Sequence, residues 1–367
     1  MLLPFAFLLI ALLAFANGSN DVSKSVATLV GSGVTDHRRA LRWGTIWTVV
    51  GALLGGIGSG ALAMRFAKSL GATAEHEAAI PLAVVIAAIA WVAFSSRTGI
   101  AVSTTHAIAG AILGVGWVAE GLSPLARMDI LKGFCLPLLA SPLMALALTF
   151  FLGPAVARAG RWLDARCACA VPTPNGPLLA HRSSGAVAST LDLVIDEKAN
   201  CEGRSAWSLD LSVNQLHWVS SGLVALSRGM NDAPKIWALA IPVILLAGMD
   251  RSILLPATIL TVTAAMGLGS WAAGRKVTEV LAHRITRMNH EEGFAANLAT
   301  ALLVVVASRM GLPVSTTHVS SGAILGVGLG QSRRGVNWKI FNEMLLAWFV
   351  TLPVAALVAM ACYWLLR

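Results

Sequence analysis

The amino-acid sequence predicts an all-α integral membrane protein of two inverted-topology repeats, each with three long transmembrane helices and a re-entrant or short-spanning helical hairpin. Three observations predict it. Hydrophobic residues make up 56% of the 367 and charged residues 12%, too much apolar surface for a water-soluble core. The apolar segments run unbroken rather than alternating, which favours helices of about 20 residues, enough for about 30 Å of hydrocarbon, over a closed barrel. The stretch Val102-Ser103-Thr104-Thr105-His106, with the Gly-Ala-Ile-Leu-Gly-Val-Gly that begins at Gly110, recurs from Val314 and Gly322, and only the three positions 107 to 109 differ.

Apolar segments occupy residues 2–33, 43–64, 80–118 with an interruption and 130–157, then 213–247, 253–273, 294–330 with an interruption and 341–366. Asn20 and Asn231 lie 211 residues apart and Ser103 and Ser315 lie 212 apart, so the halves are in register. The first segment resembles a secretory leader, with Ala14-Phe15-Ala16 shaped like a cleavage site, but it has no basic start. Because Asn20-Asp21 at its end repeats as Asn231-Asp232, it is expected to remain as the first transmembrane helix. In the third segment, residues 81–94 give a helix of only about 20 Å. A hairpin is expected there, with its tip at 95–105, where Gly99 and several hydroxyls interrupt the apolar run. Irregular backbone at membrane depth is tolerated only against protein or a water-filled cavity, so the tip should line one. The chain therefore divides into a first repeat at 1–157, a linker at 158–212 and a second, inverted repeat at 213–367. The linker carries Pro172, Pro174 and Pro177 and six basic against six acidic residues, which predicts a solvated cytoplasmic connection with at most a short amphipathic piece at 191–195.

The formal charge of +9 does not point to nucleic acid, because the basic residues flank apolar segments and set orientation. His37, Arg38, Arg39 and Arg42, then Arg275, Lys276, Arg284 and Arg287, then Arg333, Arg334 and Lys339 are placed inside. Both termini then lie outside the cell (inner) membrane, and each half crosses it an odd number of times, which inverts the second. Repeats of that kind bind substrate near the midplane, at their interface. Cys135 and Cys362 lie in apolar sequence, and Cys167, Cys169 and Cys201 in the linker, where with His181 they make only a weak metal pattern; reduced, unligated thiols are expected.

Asp21 and Asp232 each follow an asparagine inside an apolar segment, where a carboxylate is costly and needs partners. Gly18 and Gly229, three residues earlier, suggest that the helices break there and expose carbonyls to a cation; a simple helix cap is the plainer alternative. Ser103-Thr104-Thr105 and Ser315-Thr316-Thr317 precede small-residue helices, so hydroxyls and free backbone N–H groups meet at helix N-termini, where anions bind. Gly110, Gly114, Gly322 and Gly326 have the spacing of close helix packing. His106 and His318 are expected behind the site as hydrogen-bonded spacers. Arg97 and Arg309, six residues before each serine, either guide an anion or snorkel to the headgroups.

With these residues in place, the chain resembles the inorganic phosphate transporter (PiT) family, through Gly18-Ser19-Asn20-Asp21, Gly229-Met230-Asn231-Asp232 and the paired Ser-Thr-Thr-His tips. The resemblance implies an inverted-repeat symporter, not an enzyme, importing inorganic phosphate with a proton or sodium by alternating access. Phosphate would be held by Ser103, Thr104, Thr105, Ser315, Thr316, Thr317, Asp21 and Asp232. The coupling cation or its charge equivalent falls to Asn20, Asp21, Lys24, Asn231, Asp232 and Lys235. No cofactor is expected beyond a bound sodium ion at Asn20, Asp21, Asn231 and Asp232. The partners are phosphate, the coupling ion, the lipid bilayer and, as an open alternative, a second copy in a homodimer. The family typically reads Asn-Asp-Val-Ala-Asn, whereas Lys24 and Lys235 stand at its last position here. A lysine three residues after an aspartate shares its helix face, so these lysines replace charge that relatives take from sodium or form plain ion pairs. Sulfate permeation of the same fold is one alternative, a channel another, and a membrane-embedded hydrolase a third. The duplication opposes the hydrolase, because a catalytic triad is one asymmetric set.

Overall fold

The computed structural model describes residues 2–70, 77–119, 131–172, 191–197, 207–210, 212–283, 288–331 and 336–367. Arg284, Arg287, Arg333, Arg334, His181 and Cys201 lie outside the described residues.

The first half consists of α1 (Leu2–Asp21), α2 (Ser23–Gly31), α3 (His37–Gly58), α4 (Gly60–Ser69), α5 (Ala79–Thr98), α6 (Thr104–Ala119) and, after a π turn at Leu131–Cys135, α7 (Leu136–Asp164). The second half repeats the order with α8 (Val213–Ala238), α9 (Ile241–Leu246), α10 (Arg251–Ala273), α11 (Arg275–His283), α12 (His290–Arg309), α13 (Thr316–Gln331) and α14 (Trp338–Leu366). Among the described residues, seven helical stretches are long and apolar enough to cross a membrane. α8 is not one of them: its 26 residues suffice in length, but it carries Arg228, Asp232 and Lys235, all buried.

The halves interlock reciprocally. α1 packs on α10 and α8 on α3; α6 packs on α14 and α13 on α7. Glycines set these crossings. A methyl group on Gly18 would strike the Met266 carbonyl and one on Gly269 that of Phe15; in the matching crossing Gly229 meets Thr48 and Gly51 meets Leu226. Likewise Gly110 and Gly114 lie against the Leu352 and Ala356 carbonyls, while Gly322 and Gly326 lie against those of Pro142 and Leu146. Close backbone approach of this kind gives dispersion contact where lipid offers no hydrophobic drive.

Three expectations change. α1 is interrupted only at Val22, after Asp21, and α8 runs unbroken through Asn231, Asp232 and Pro234. Gly18 and Gly229 therefore serve close packing, not helix breaking. The first hairpin arm, α5, has 20 residues, about 30 Å, and is long enough to span rather than short. It gains its last turn because Gly99, at φ +84°, turns the chain only after Thr98; Gly311, at φ +66°, does the same after α12. Only the second arms, α6 and α13, are short, at 16 residues each. Lastly, the linker is not plain loop. α7 continues to Asp164, and β1 (Arg166–Pro172) pairs antiparallel with β2 (Leu191–Glu197) on one side and β3 (Trp207–Asp210) on the other. Cys167 is disulfide-bonded, which corrects its reading as a reduced thiol. The expected amphipathic piece at 191–195 is part of strand β2.

Candidate functional site

The two hairpin tips meet in the middle of the molecule. The rings of His106 and His318 stack with centroids 4.2 Å apart and planes within 4°. Each ring is oriented by the serine of its own tip, with His106 Nδ1 2.8 Å from Ser103 Oγ and His318 Nδ1 2.6 Å from Ser315 Oγ. Thr317 Oγ1 donates to the Val102 carbonyl at 2.9 Å, and Thr105 Oγ1 to the Val314 carbonyl at 3.3 Å, so each tip is bonded to the other. The first turns of α6 and α13 start at these tips, and helix starts leave N–H groups without intrahelical acceptors.

Beneath the tips lie two ion pairs. Lys24 pairs with Asp21, and Lys235 Nζ lies 3.2 Å from Asp232 Oδ1, each one helical turn along. Asn20 Nδ2 donates to Asp21 Oδ1 at 2.7 Å and to the Val102 carbonyl at 2.8 Å; Asn231 Nδ2 makes the matching bonds to Asp232 Oδ1 at 2.9 Å and Val314 at 3.2 Å. Lys235 Nζ also donates to Thr105 Oγ1 at 2.8 Å and to Val314 at 2.9 Å. The carbonyls of Val102 and Val314 thus tie each tip to the Asn-Asp-Lys turn of its own half. All fourteen of these residues, with Thr104 and Thr316, are at most 5% exposed.

Arg97 and Arg309 do not join them. Both lie exposed in the last turns of their helices, unlike the buried residues of the site. The buried cation is Arg228 instead, with Asn17 at the equivalent position of the first half, one residue before the glycine. Asn17 Nδ2 lies 2.9 Å from Asp21 Oδ2, 3.0 Å from Thr104 Oγ1 and 3.4 Å from Asp232 Oδ2, linking both carboxylates to a tip. Arg228 is fully buried; its Nη2 donates to Thr48 Oγ1 at 2.8 Å and Ser270 Oγ at 3.3 Å, and its Nε and Nη1 have no partner among the described residues. Sequence reasoning passed over both residues because they precede the repeated motif and differ between halves. The available signal was an arginine inside an apolar segment, which rarely lacks a role.

A family-wide sequence profile described as the phosphate transporter family matches residues 17–359. The chain belongs to that family. It is 28% identical over 357 residues to a probable low-affinity inorganic phosphate transporter of Bacillus subtilis, covering 96% of this chain and 93% of that one. It is 26% identical over 355 residues to the protein of the same description from Rhizobium meliloti, covering 95% and 92%. A solved structure titled "The sodium-dependent phosphate transporter" aligns with a TM-score of 0.76 over 100% of this chain and 98% of its own, at 22% identity, and so shares the fold. The chain is accordingly a multi-span membrane protein for phosphate transport and not an enzyme.

In this member of the family, the buried charges among the described residues are Asp21 and Asp232 against Lys24, Lys235 and Arg228, a formal excess of one positive charge. Such a cluster, out of water, is complete only with an anion. Its spare capacity is for donating: the free guanidinium N–H groups and the first-turn N–H groups of both tips. N–H donors already sit on both aspartates, and the unpartnered acceptors among these residues are the amide oxygens of Asn17 and Asn20.

Proposed function

We propose that this transporter imports inorganic phosphate by alternating access, binding the monoanion between the Ser-Thr-Thr tips and the Asp-Lys pairs, with the proton as the coupled cation. The observation that carries the reading is the unpaired positive charge of Arg228 in a buried site that otherwise balances. Dihydrogen phosphate neutralises it, and its P–OH groups can donate to Asp21 or Asp232, so the proton enters on the substrate. Sulfate, the alternative oxyanion, brings a second charge and no proton. Lys24 and Lys235 pair with the two aspartates, which supports coupling without sodium.

Under this reading the two halves are inverted repeats that rock against each other, with the termini outside and the linker inside. Radiolabelled phosphate uptake into proteoliposomes, with sodium and proton gradients imposed separately, tests it. Uptake driven by the proton gradient and indifferent to sodium is expected. Strong sodium stimulation with no response to the proton gradient would overturn the coupling, and sulfate competing as well as unlabelled phosphate would overturn the substrate.

A further inference from the structure

The helices α1, α5 and α10 border a groove of about 580 Å³ that contains none of the aspartates or lysines of the central site. Its walls are apolar, with Leu12 and Phe15 from α1 and Ile89 and Ala93 from α5. The hydroxyls within it, Ser19 and Ser96, lie 3.3 Å apart and bond to each other. Its mouth is cationic. Arg97 ends α5, Arg275 and Lys276 begin α11, all three are exposed, and no acidic residue lines the groove. Lys276 Nζ donates to the Arg97 carbonyl at 3.2 Å, which ties the two sides of the mouth together.

The three bordering helices are membrane spans by length and hydropathy, so the groove opens towards hydrocarbon along its length and towards headgroups at its cationic end. An apolar furrow in that setting takes an acyl chain rather than water, and a cluster of basic side chains at the end of membrane helices attracts anionic headgroups. We propose that this groove is a binding site for an anionic phospholipid, its headgroup phosphate held by Arg97, Arg275 and Lys276 and one acyl chain laid between α1 and α5. A free phosphate ion on its way to the central site would leave the apolar walls unmatched, whereas the lipid uses both parts. The assignment rests on the membrane-spanning fold and not on the identity of the transported ion. It also gives a role to Arg97, which is exposed and so does not share the buried central site.

The experiment uses the full-length protein, delipidated in neutral detergent, with phosphatidylglycerol or phosphatidylcholine added back. Native mass spectrometry counts retained lipids, and the thermal unfolding midpoint reports stabilisation. Preferential retention of phosphatidylglycerol is expected. The triple variant Arg97→Gln, Arg275→Gln, Lys276→Gln should lose it by roughly fivefold per cation removed. Ala93→Phe, which fills the furrow and leaves every charge in place, should lose it as well. Arg38→Gln with Arg39→Gln, a cationic pair away from the groove, should keep it. Equal retention of the two lipids by the wild type, or an unchanged preference in either groove variant, overturns the site. Displacement of phosphatidylglycerol by millimolar inorganic phosphate would show that the mouth serves the free ion and would overturn it too.

Discussion

Arg228 breaks the two-fold symmetry of a site whose other members come in matched pairs, and it faces Asn17 across that symmetry. Replacing it with glutamine removes the excess charge and leaves the two carboxylates balanced by their own lysines. A charged hydrogen bond is worth about 2 kcal/mol, so Arg228→Gln should raise the KM for phosphate by roughly 10- to 100-fold, and Arg228→Lys should recover part of it. Asp21→Asn or Asp232→Asn should abolish uptake while membrane insertion persists; near-normal uptake by both would remove the aspartates from the mechanism. The lysines invite the opposite kind of test. With Lys24→Asn and Lys235→Asn together, the aspartates lose their ammonium partners, and phosphate uptake should become stimulated by sodium. An unaltered sodium response would reduce those lysines to plain ion pairs.

At the scale of elements, the hairpins are held by backbone contact. Gly110 on α6 and Gly322 on α13 pack against the Leu352 and Pro142 carbonyls in equivalent crossings. Gly110→Leu and Gly322→Leu should therefore lower the thermal unfolding midpoint similarly, each by an overpacking cost of about 1–3 kcal/mol. A large inequality would mean that the crossings are not equivalent. The helix starts carry a smaller, pH-dependent term. Asp36 caps α3 by accepting from the N–H groups of Arg39 and Arg38, and those bonds hold its carboxyl below the usual carboxylate range. A depressed folded-state pKa gives stability that is complete above the unfolded value and is lost as pH falls through the folded one. Asp36→Asn, which still caps but does not ionise, should flatten the acid limb of a stability–pH curve; an unchanged limb would assign it to other groups.

For the whole molecule, the reciprocal crossings of α1 on α10 and α8 on α3 place the Asn-Asp-Lys turns of both halves under tips that bond to each other. Under the alternating-access proposal, the cross-tip bonds of Thr105 and Thr317 are the ones that part when the halves rock. If the monoanion is the substrate, uptake at constant total phosphate should rise as pH falls through the second ionisation of phosphate. A rate that follows the dianion instead would contradict the charge count around Arg228.

The sequence by itself determined the membrane class, the duplication and most of the residues of the candidate site. Each depends on local pattern: apolar runs, a repeated Ser-Thr-Thr-His, and charged residues where hydrocarbon should be. It also located Gly110, Gly114, Gly322 and Gly326, because their spacing is that of close helix packing. What only the tertiary structure decided is which chemistry-bearing residues share one space. Arg97 and Arg309 repeat in register yet end up exposed, since α5 and α12 continue to their positive-φ glycines. Arg228 and Asn17 do not match each other, so repetition could not reveal them; Asn17 reaches Asp232 only across the two halves, and Arg228 meets Thr48 and Ser270 on two other helices. The strands of the linker were hidden for the same reason, since a ladder between distant short segments is a pairing between elements and leaves little trace in any one of them.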